Sequence, residues 1–164
     1  MSEAKPHEPR VIYRTRVGAQ WLDYNGHMND AAYAIAFSHS CDALMDAIGL
    51  DAATRAATGR TLYTLKMMLH YFRELKEGAE LEVACQILEH DDKRLRVWFT
   101  MREAGAEAPA AASEQLLLSV SQLEGAKAAP WSAESKAALD ALALRQADLA
   151  WPPEAGQGIR LKRA

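Results

Sequence analysis

The chemistry-bearing residues of this chain concentrate in one short stretch, where Asp23, Asn25, His27 and Asn29 alternate with Tyr24, Gly26 and Met28. A carboxylate, two amides and an imidazole therefore lie within a single turn-forming segment. Asn25-Gly26 is a turn signal, because glycine reaches the positive φ that tight turns need. An apolar segment follows at once, over residues 31–50. A turn this polar, opening a helix this apolar, fits a buried helix whose N-terminus faces a ligand. Free backbone N–H groups at such a helix start, next to a carboxylate, suit chemistry on a carbonyl or a phosphate. No glycine-rich loop or lysine accompanies them, which favours the carbonyl. Each residue also has a plainer reading: Asp23 can close an Asx turn, His27 can be a hydrogen-bonded turn residue, and Asn29 can be an N-cap alone.

Several elements must position this stretch. Residues 11–17 alternate Tyr13, Thr15 and Val17 against Arg14 and Arg16, the period of a half-buried strand. With Asn29 or Asp30 as N-cap, a helix is predicted to run to about Ile48 and to stop at Gly49. Residues 31–37 are all apolar, so that half is expected to be surrounded, while Ser38, Asp42 and Asp46 draw one narrow wet stripe along the second half. Residues 51–58 suit a short helical piece. Four strands are expected at 60–72, 81–88, 95–102 and 115–123, with a loose connection over 104–112. In the first of these, Tyr63, Leu65, Met67, Leu69 and Tyr71 share the face that would lie on the helix. A terminal helix over 132–146 takes Ser132 as its N-cap, with Glu134 close behind. The pattern reads as an α+β layer arrangement: an antiparallel meander with a long helix on its concave face. The expected organisation is a flexible N-terminus over 1–10, one domain over 11–150 and an irregular tail over 151–164.

Composition excludes other classes. The 164 residues suffice for one substantial core, and 49% hydrophobic with 25% charged residues is ordinary for a globular protein. A net charge of −3 is unlike the basic stripe of a nucleic-acid binder. Cys41 and Cys85 stand alone in apolar contexts without metal or redox spacing, as buried thiols in a reducing compartment would. The first ten residues lack an apolar signal core, and no run reaches membrane-span length, so a cytoplasmic protein is expected.

The string Asp23-x-Asn25-Gly26-His27-Met28-Asn29, with Tyr33 one turn into the helix and four long strands behind it, resembles the hotdog-fold acyl-CoA thioesterases of the 4-hydroxybenzoyl-CoA type. The resemblance extends over about residues 11–123, and within that group it leans towards the carnitine and betaine catabolism branch. That closer likeness rests on residues 25–29, 59–65, 71–78 and 91–95. It implies a sheet of about five strands wrapped around the long helix, and an acyl-CoA thioester hydrolase acting as a homodimer that can pair into a tetramer. It implies no metal and no cofactor other than the CoA of the substrate. Asp23 would be the catalytic base or nucleophile, with oxyanion donors from the 26–30 backbone. Asn25 and His27, which also match a spacing resembling the plant acyl-carrier-protein thioesterases, would position water or Asp23. Gly26, Asn29, Tyr33, Thr64 and Lys66 would line the substrate.

The chain departs from that branch where Lys66 and Met68 replace a typical Glu and His, and where Ser119 replaces a further His. A lysine at 66 would suit an anionic acyl group or a CoA phosphate rather than a quaternary ammonium, or it is simply an exposed strand charge. Lys93, Arg94 and Arg96 could meet CoA phosphates, or form a solvated hairpin. Two other readings compete: a non-catalytic binder of acyl-CoA or small acids, and a hydratase or dehydratase. The last is the weaker, since the glycine-proline loop usual near its catalytic His is missing.

Overall fold

A computed structural model describes residues 8–161. The N-terminal segment expected to be flexible falls mostly on residues 1–7, outside the described residues, as do residues 162–164 of the tail. The elements are β1 (Arg10–Arg16), a 3-10 turn (Ala19–Trp21), α1 (Asp30–Ala47), α2 (Ala52–Thr58), β2 (Arg60–Tyr71), β3 (Glu80–His90), β4 (Arg94–Glu103), β5 (Ala111–Ser121), β6 (Lys127–Ala128) and α3 (Ala133–Arg145). The strands form one antiparallel sheet in the order β1-β3-β4-β5-β2, with the short β6 on β5. The expected α+β architecture, a sheet wrapped around a long helix with a terminal helix added, is the one observed.

Helix α1 starts where a side chain replaces a missing acceptor: Asn29 Oδ1 accepts the Ala31 amide at 2.9 Å. It ends at Gly49, whose φ of +78° continues no right-handed helix. Its buried residues come in adjacent pairs every four positions, Ala32/Tyr33, Ala36/Phe37, Ser40/Cys41 and Leu44/Met45. That period lays one broad stripe against the inner face of the sheet. Phe37 stacks on Phe99 with ring centroids 6.3 Å apart, and the small Ala32 and Ala36 let the helix approach closely. Val83, Cys85, Ile87, Leu95, Val97, Met101 and Leu117 complete the same core.

Four expectations change. The strands are not a four-strand meander: β3, β4 and β5 are, but β2 crosses to the far side of β5 and becomes an edge. Strand β5 begins at Ala111 rather than 115, because its alanines pair with Met101 and Tyr71 although they carry no strand pattern of their own. The first half of α1 is not surrounded within the chain, since Ala31 is exposed and Ile35 is 44% exposed, both on the side turned away from the sheet. Strand β2 does not alternate regularly either. The register shifts between Thr64 and Lys66, so Leu65 is a bulge that exchanges the two faces. Before it Leu62 and Thr64 face inward, opposite the buried Ser119 and Leu117; after it Met67, Leu69 and Tyr71 do. Tyr63 consequently lies on the outer face.

The opposite side of the sheet is finished by the chain itself. Strand β1 pairs with β3 only as far as Cys85. There Gln146, at the end of α3, accepts the Ile87 amide at 2.7 Å and donates to the Cys85 carbonyl at 2.8 Å. Its side chain stands in for a strand. The tail beyond α3 then crosses the outer face: Gly156 donates to Glu114 at 2.8 Å, and Arg96 lies 5.0 Å from the Trp151 ring centroid.

Candidate functional site

The Asp23 stretch folds into a closed loop at the start of α1. Asp23 Oδ1 accepts the amides of Asn25 at 2.8 Å and His27 at 3.2 Å, while the Asp23 amide donates to the His27 carbonyl at 2.8 Å. Gly26, at φ +76°, turns the chain and donates to the Asp23 carbonyl at 3.1 Å. The loop is bolted to its surroundings by Asn29 N–H to the Trp21 carbonyl at 2.7 Å and Met28 N–H to the Leu75 carbonyl at 2.8 Å. The Asx turn and the N-cap are thus both real. They use only one Asp23 oxygen: Oδ2 has no hydrogen-bond partner among the described residues.

The backbone donors differ from expectation. Between Gly26 and Asp30, the amides of Gly26, His27, Met28 and Asn29 all donate inside the chain, because the loop must close on itself before the helix can start. The Asp30 amide is left without an acceptor among the described residues.

His27 turns its Nε2 to Glu74, 3.3 Å away, so within the chain its imidazole partner is that carboxylate rather than Asp23. Asn25 is exposed. Tyr33 is buried, its hydroxyl donating to the Arg73 carbonyl at 3.3 Å, and burial pushes that hydroxyl's pKa up. Its ring meets Tyr71 edge to face at 5.3 Å, and the Tyr71 hydroxyl donates to the Asp30 carbonyl at 3.2 Å. Burial also raises the Tyr71 hydroxyl, with the Asp30 carboxylate adding to the effect.

Asp23, Asn25, Gly26, His27 and Asn29 therefore come together, with Tyr33 one contact behind them. Thr64 and Lys66 do not join them. Lys66 is on the outer face, beside Glu114 and Arg96. At roughly 3.3 Å per residue it lies about 16 Å along the strand from Tyr71. Glu74 and Tyr71 as neighbours of the loop escape sequence reasoning. No local spacing marks Glu74, and the parity of Tyr71 is legible only once the bulge at Leu65 is known.

Of the three basic residues near the hairpin, two are already neutralised. Arg94 pairs with Asp91 at 2.6 Å, and Arg96 pairs with Glu89 at 3.0 Å and Glu114 at 2.5 Å. The thiols are buried: Cys41 donates to Gln115 Oε1 at 3.1 Å and is pushed up to about 12 by desolvation, which raises Cys85 as well. Among the described residues no three His, Cys, Asp or Glu side chains gather as a metal ion would require. No described helix is long and apolar enough to cross a membrane.

A curled antiparallel sheet wrapped around one long helix defines a hotdog-fold protein. Residues 17–139 match the family model of the thioesterase-like superfamily. The chain belongs to this superfamily and is a thioester hydrolase. It is 44% identical to the betainyl-CoA thioesterase of Pseudomonas aeruginosa, over 92% of this chain and 94% of that one. The L-carnitine dehydrogenase/betainyl-CoA thioesterase of Rhizobium meliloti is 35% identical over 94% of this chain, which matches 31% of that longer protein. Among solved structures, a candidate thioesterase from Pseudomonas putida KT2440 superposes with a TM-score of 0.82 at 39% identity, covering 95% of this chain and 99% of that one. The SAV2348 protein of Staphylococcus aureus in complex with CoA shares the fold, with a TM-score of 0.83 at 24% identity over 98% of this chain and all of that one.

Proposed function

We propose that the protein hydrolyses acyl-CoA thioesters, with Asp23 delivering the oxygen nucleophile, and that its substrate is a betainyl-type acyl-CoA. The observation that carries the mechanism is the division of labour in the Asp23 carboxylate: Oδ1 is fixed by two amides and Oδ2 is free. An anchored carboxylate with one unpaired oxygen at a helix start can take a proton from water as it adds to the thioester carbon. The oxyanion then forms beside the unused Asp30 amide, the C–S bond breaks, and CoA leaves as a thiolate that recovers the proton. The same oxygen could attack the carbonyl directly and form an anhydride that water opens. Because a thiolate leaves readily, one carboxylate and few donors suffice. The substrate class draws on the relatives whose names carry betainyl-CoA.

The working unit is a homodimer joined along β2. This edge strand spans 12 residues and leaves Leu65 and Met67 exposed. A long apolar edge invites pairing with a second copy. Thr64 and Lys66 would then line the seam, Lys66 being suited to the CoA phosphates.

The test is Asp23→Asn, which keeps an acceptor for the loop amides while removing the base. Turnover of betainyl-CoA should fall by at least about 100-fold, the ordinary contribution of a general base. Unchanged turnover would overturn the mechanism. A variant that still binds betainyl-CoA but no longer hydrolyses it would assign Asp23 to the chemical step rather than to binding.

A further inference from the structure

Beside the loop lies an aromatic surface that the hydrolytic step does not use. Tyr71 is 51% exposed, yet its hydroxyl is fastened to the Asp30 carbonyl, and the buried Tyr33 supports its ring edge to face. With the hydroxyl so engaged, what Tyr71 offers to a ligand is chiefly ring surface. The Asp30 carboxylate, on the first turn of α1, lies against Tyr71, and Glu74 acts on the supporting Tyr33. Of the cations in the same segment, Arg73 is paired with Glu103 at 3.5 Å, and Lys76 lies beside His27 at the loop rather than at Tyr71. A ring face flanked by a carboxylate matches a quaternary ammonium group. Such a cation donates no hydrogen bond and is held by aromatic faces and by field.

We propose that Tyr71, braced by Tyr33 and flanked by the Asp30 carboxylate, is the subsite for the cationic end of the acyl group and so sets substrate specificity. The inference rests on the betainyl-type reading and deepens it. In a betainyl group a single methylene separates the thioester carbon from the nitrogen, so the cation must sit close to the carbonyl. Asp30 meets that demand. Its amide lacks an acceptor and its carbonyl holds the Tyr71 hydroxyl, so both ends of the short acyl group meet around one residue. The positive end of a helix dipole would oppose a cation here. It amounts to about half a charge, whereas the Asp30 carboxylate brings a full one of opposite sign. Lys66 does not interfere from within the chain, since it projects from the other face of the sheet.

The experiment compares betainyl-CoA with its neutral isostere, 3,3-dimethylbutanoyl-CoA, which replaces the nitrogen by carbon. The readout is the ratio of kcat/KM for the two substrates. Wild type should favour the cation. Tyr71→Leu should lower the ratio about tenfold, the order of one desolvated cation–π contact, chiefly through KM for betainyl-CoA. Tyr71→Phe should keep it near wild type, and Asp30→Asn, which retains the acceptor for the Ala31 amide, should lower it severalfold. Tyr63→Leu, on the outer face, should leave it unchanged. A wild-type ratio preserved in Tyr71→Leu overturns the subsite alone. A wild type that does not prefer the cation overturns the betainyl reading with it, and leaves the hydrolase intact. If Tyr71→Leu does not fold, an unchanged ratio in Asp30→Asn overturns the proposal just as well.

Discussion

Two stretches of this sheet's border are treated in opposite ways: the end of β3 and the whole of β2. Beyond Cys85, where β1 no longer covers β3, the chain closes the border itself: Gln146 completes the ladder and α3 docks beside it. A further tie is the 3.3 Å contact between His90 Nε2 and Asp140. On the β2 side nothing from the described chain covers the strand, and apolar residues stand exposed. The candidate site sits at the open border, where Tyr71 ends β2 and touches the first residue of α1. The proposed homodimer would complete the sheet along β2, next to the candidate site.

The largest effect expected from breaking this contrast is at the open edge. Leu65→Lys places a charge on a side chain that is 49% exposed in one chain, so the isolated fold should survive it. Lysine on an edge strand is also a standard obstacle to edge pairing. Analytical ultracentrifugation should show wild-type dimers and Leu65→Lys monomers, and hydrolysis should fall more than tenfold at concentrations where the variant is monomeric. A fully active monomer would show that the site needs no second copy.

The closed edge should answer in stability instead. Gln146→Ala strips partners from the Ile87 amide and the Cys85 carbonyl, both in the core strand β3. Buried polar groups left unpaired cost about 1–3 kcal/mol each, so a loss of roughly 2–4 kcal/mol is expected, partly relieved if water enters. Thermal unfolding should shift down by about 5–15 °C, given about 2–4 °C per kcal/mol at this size. Turnover at room temperature should persist. A variant as stable as wild type would mean that α3 docks without this clamp.

The sequence made much of this legible, for reasons that also mark where reading stops. Helix α1 was readable because its cap, its apolar run and its terminal glycine agree. The Asp23 loop was readable because its residue types repeat a known string. The bulge at Leu65 was not, since no glycine or proline marks it and either face of β2 can be written as apolar. Nor was the crossing of β2 to the far side of β5: adjacent strands in sequence usually pair, and only closure of the sheet around α1 forbids it here. The first residues of β5, Ala111 to Ser113, were hidden because alanine and serine carry no strand period. The roles assigned to Asp30, Tyr71 and Glu74 arise from contacts between distant segments, which no local spacing encodes.

The smallest expected effect belongs to the closed side as well, at the turn between β3 and β4. Asp91 there accepts the amides of Lys93 at 3.0 Å and Arg94 at 2.6 Å, and the Arg94 guanidinium at 2.7 Å. Its own carbonyl receives the Trp131 indole at 2.7 Å, so this turn also holds the approach to α3. The Lys93 amide first, and then the Arg94 side chain, hold the Asp91 carboxyl at a pKa of about 2. An unfolded aspartate titrates near 3.9, so the folded state favours the ionised form and binds fewer protons than the unfolded state between the two values. The stabilisation is therefore complete above about pH 4 and fades as the pH falls towards 2. Asp91→Asn keeps a neutral acceptor and removes only the charge. Its melting temperature should lie modestly below wild type at pH 5 to 7, and the two should converge between about pH 4 and 2. Added salt should shrink the part owed to Arg94, which is exposed, and spare the part owed to the amides. A gap that survives at pH 2, or widens on acidification, would place the stabilising charge elsewhere and leave the turn held by its backbone alone.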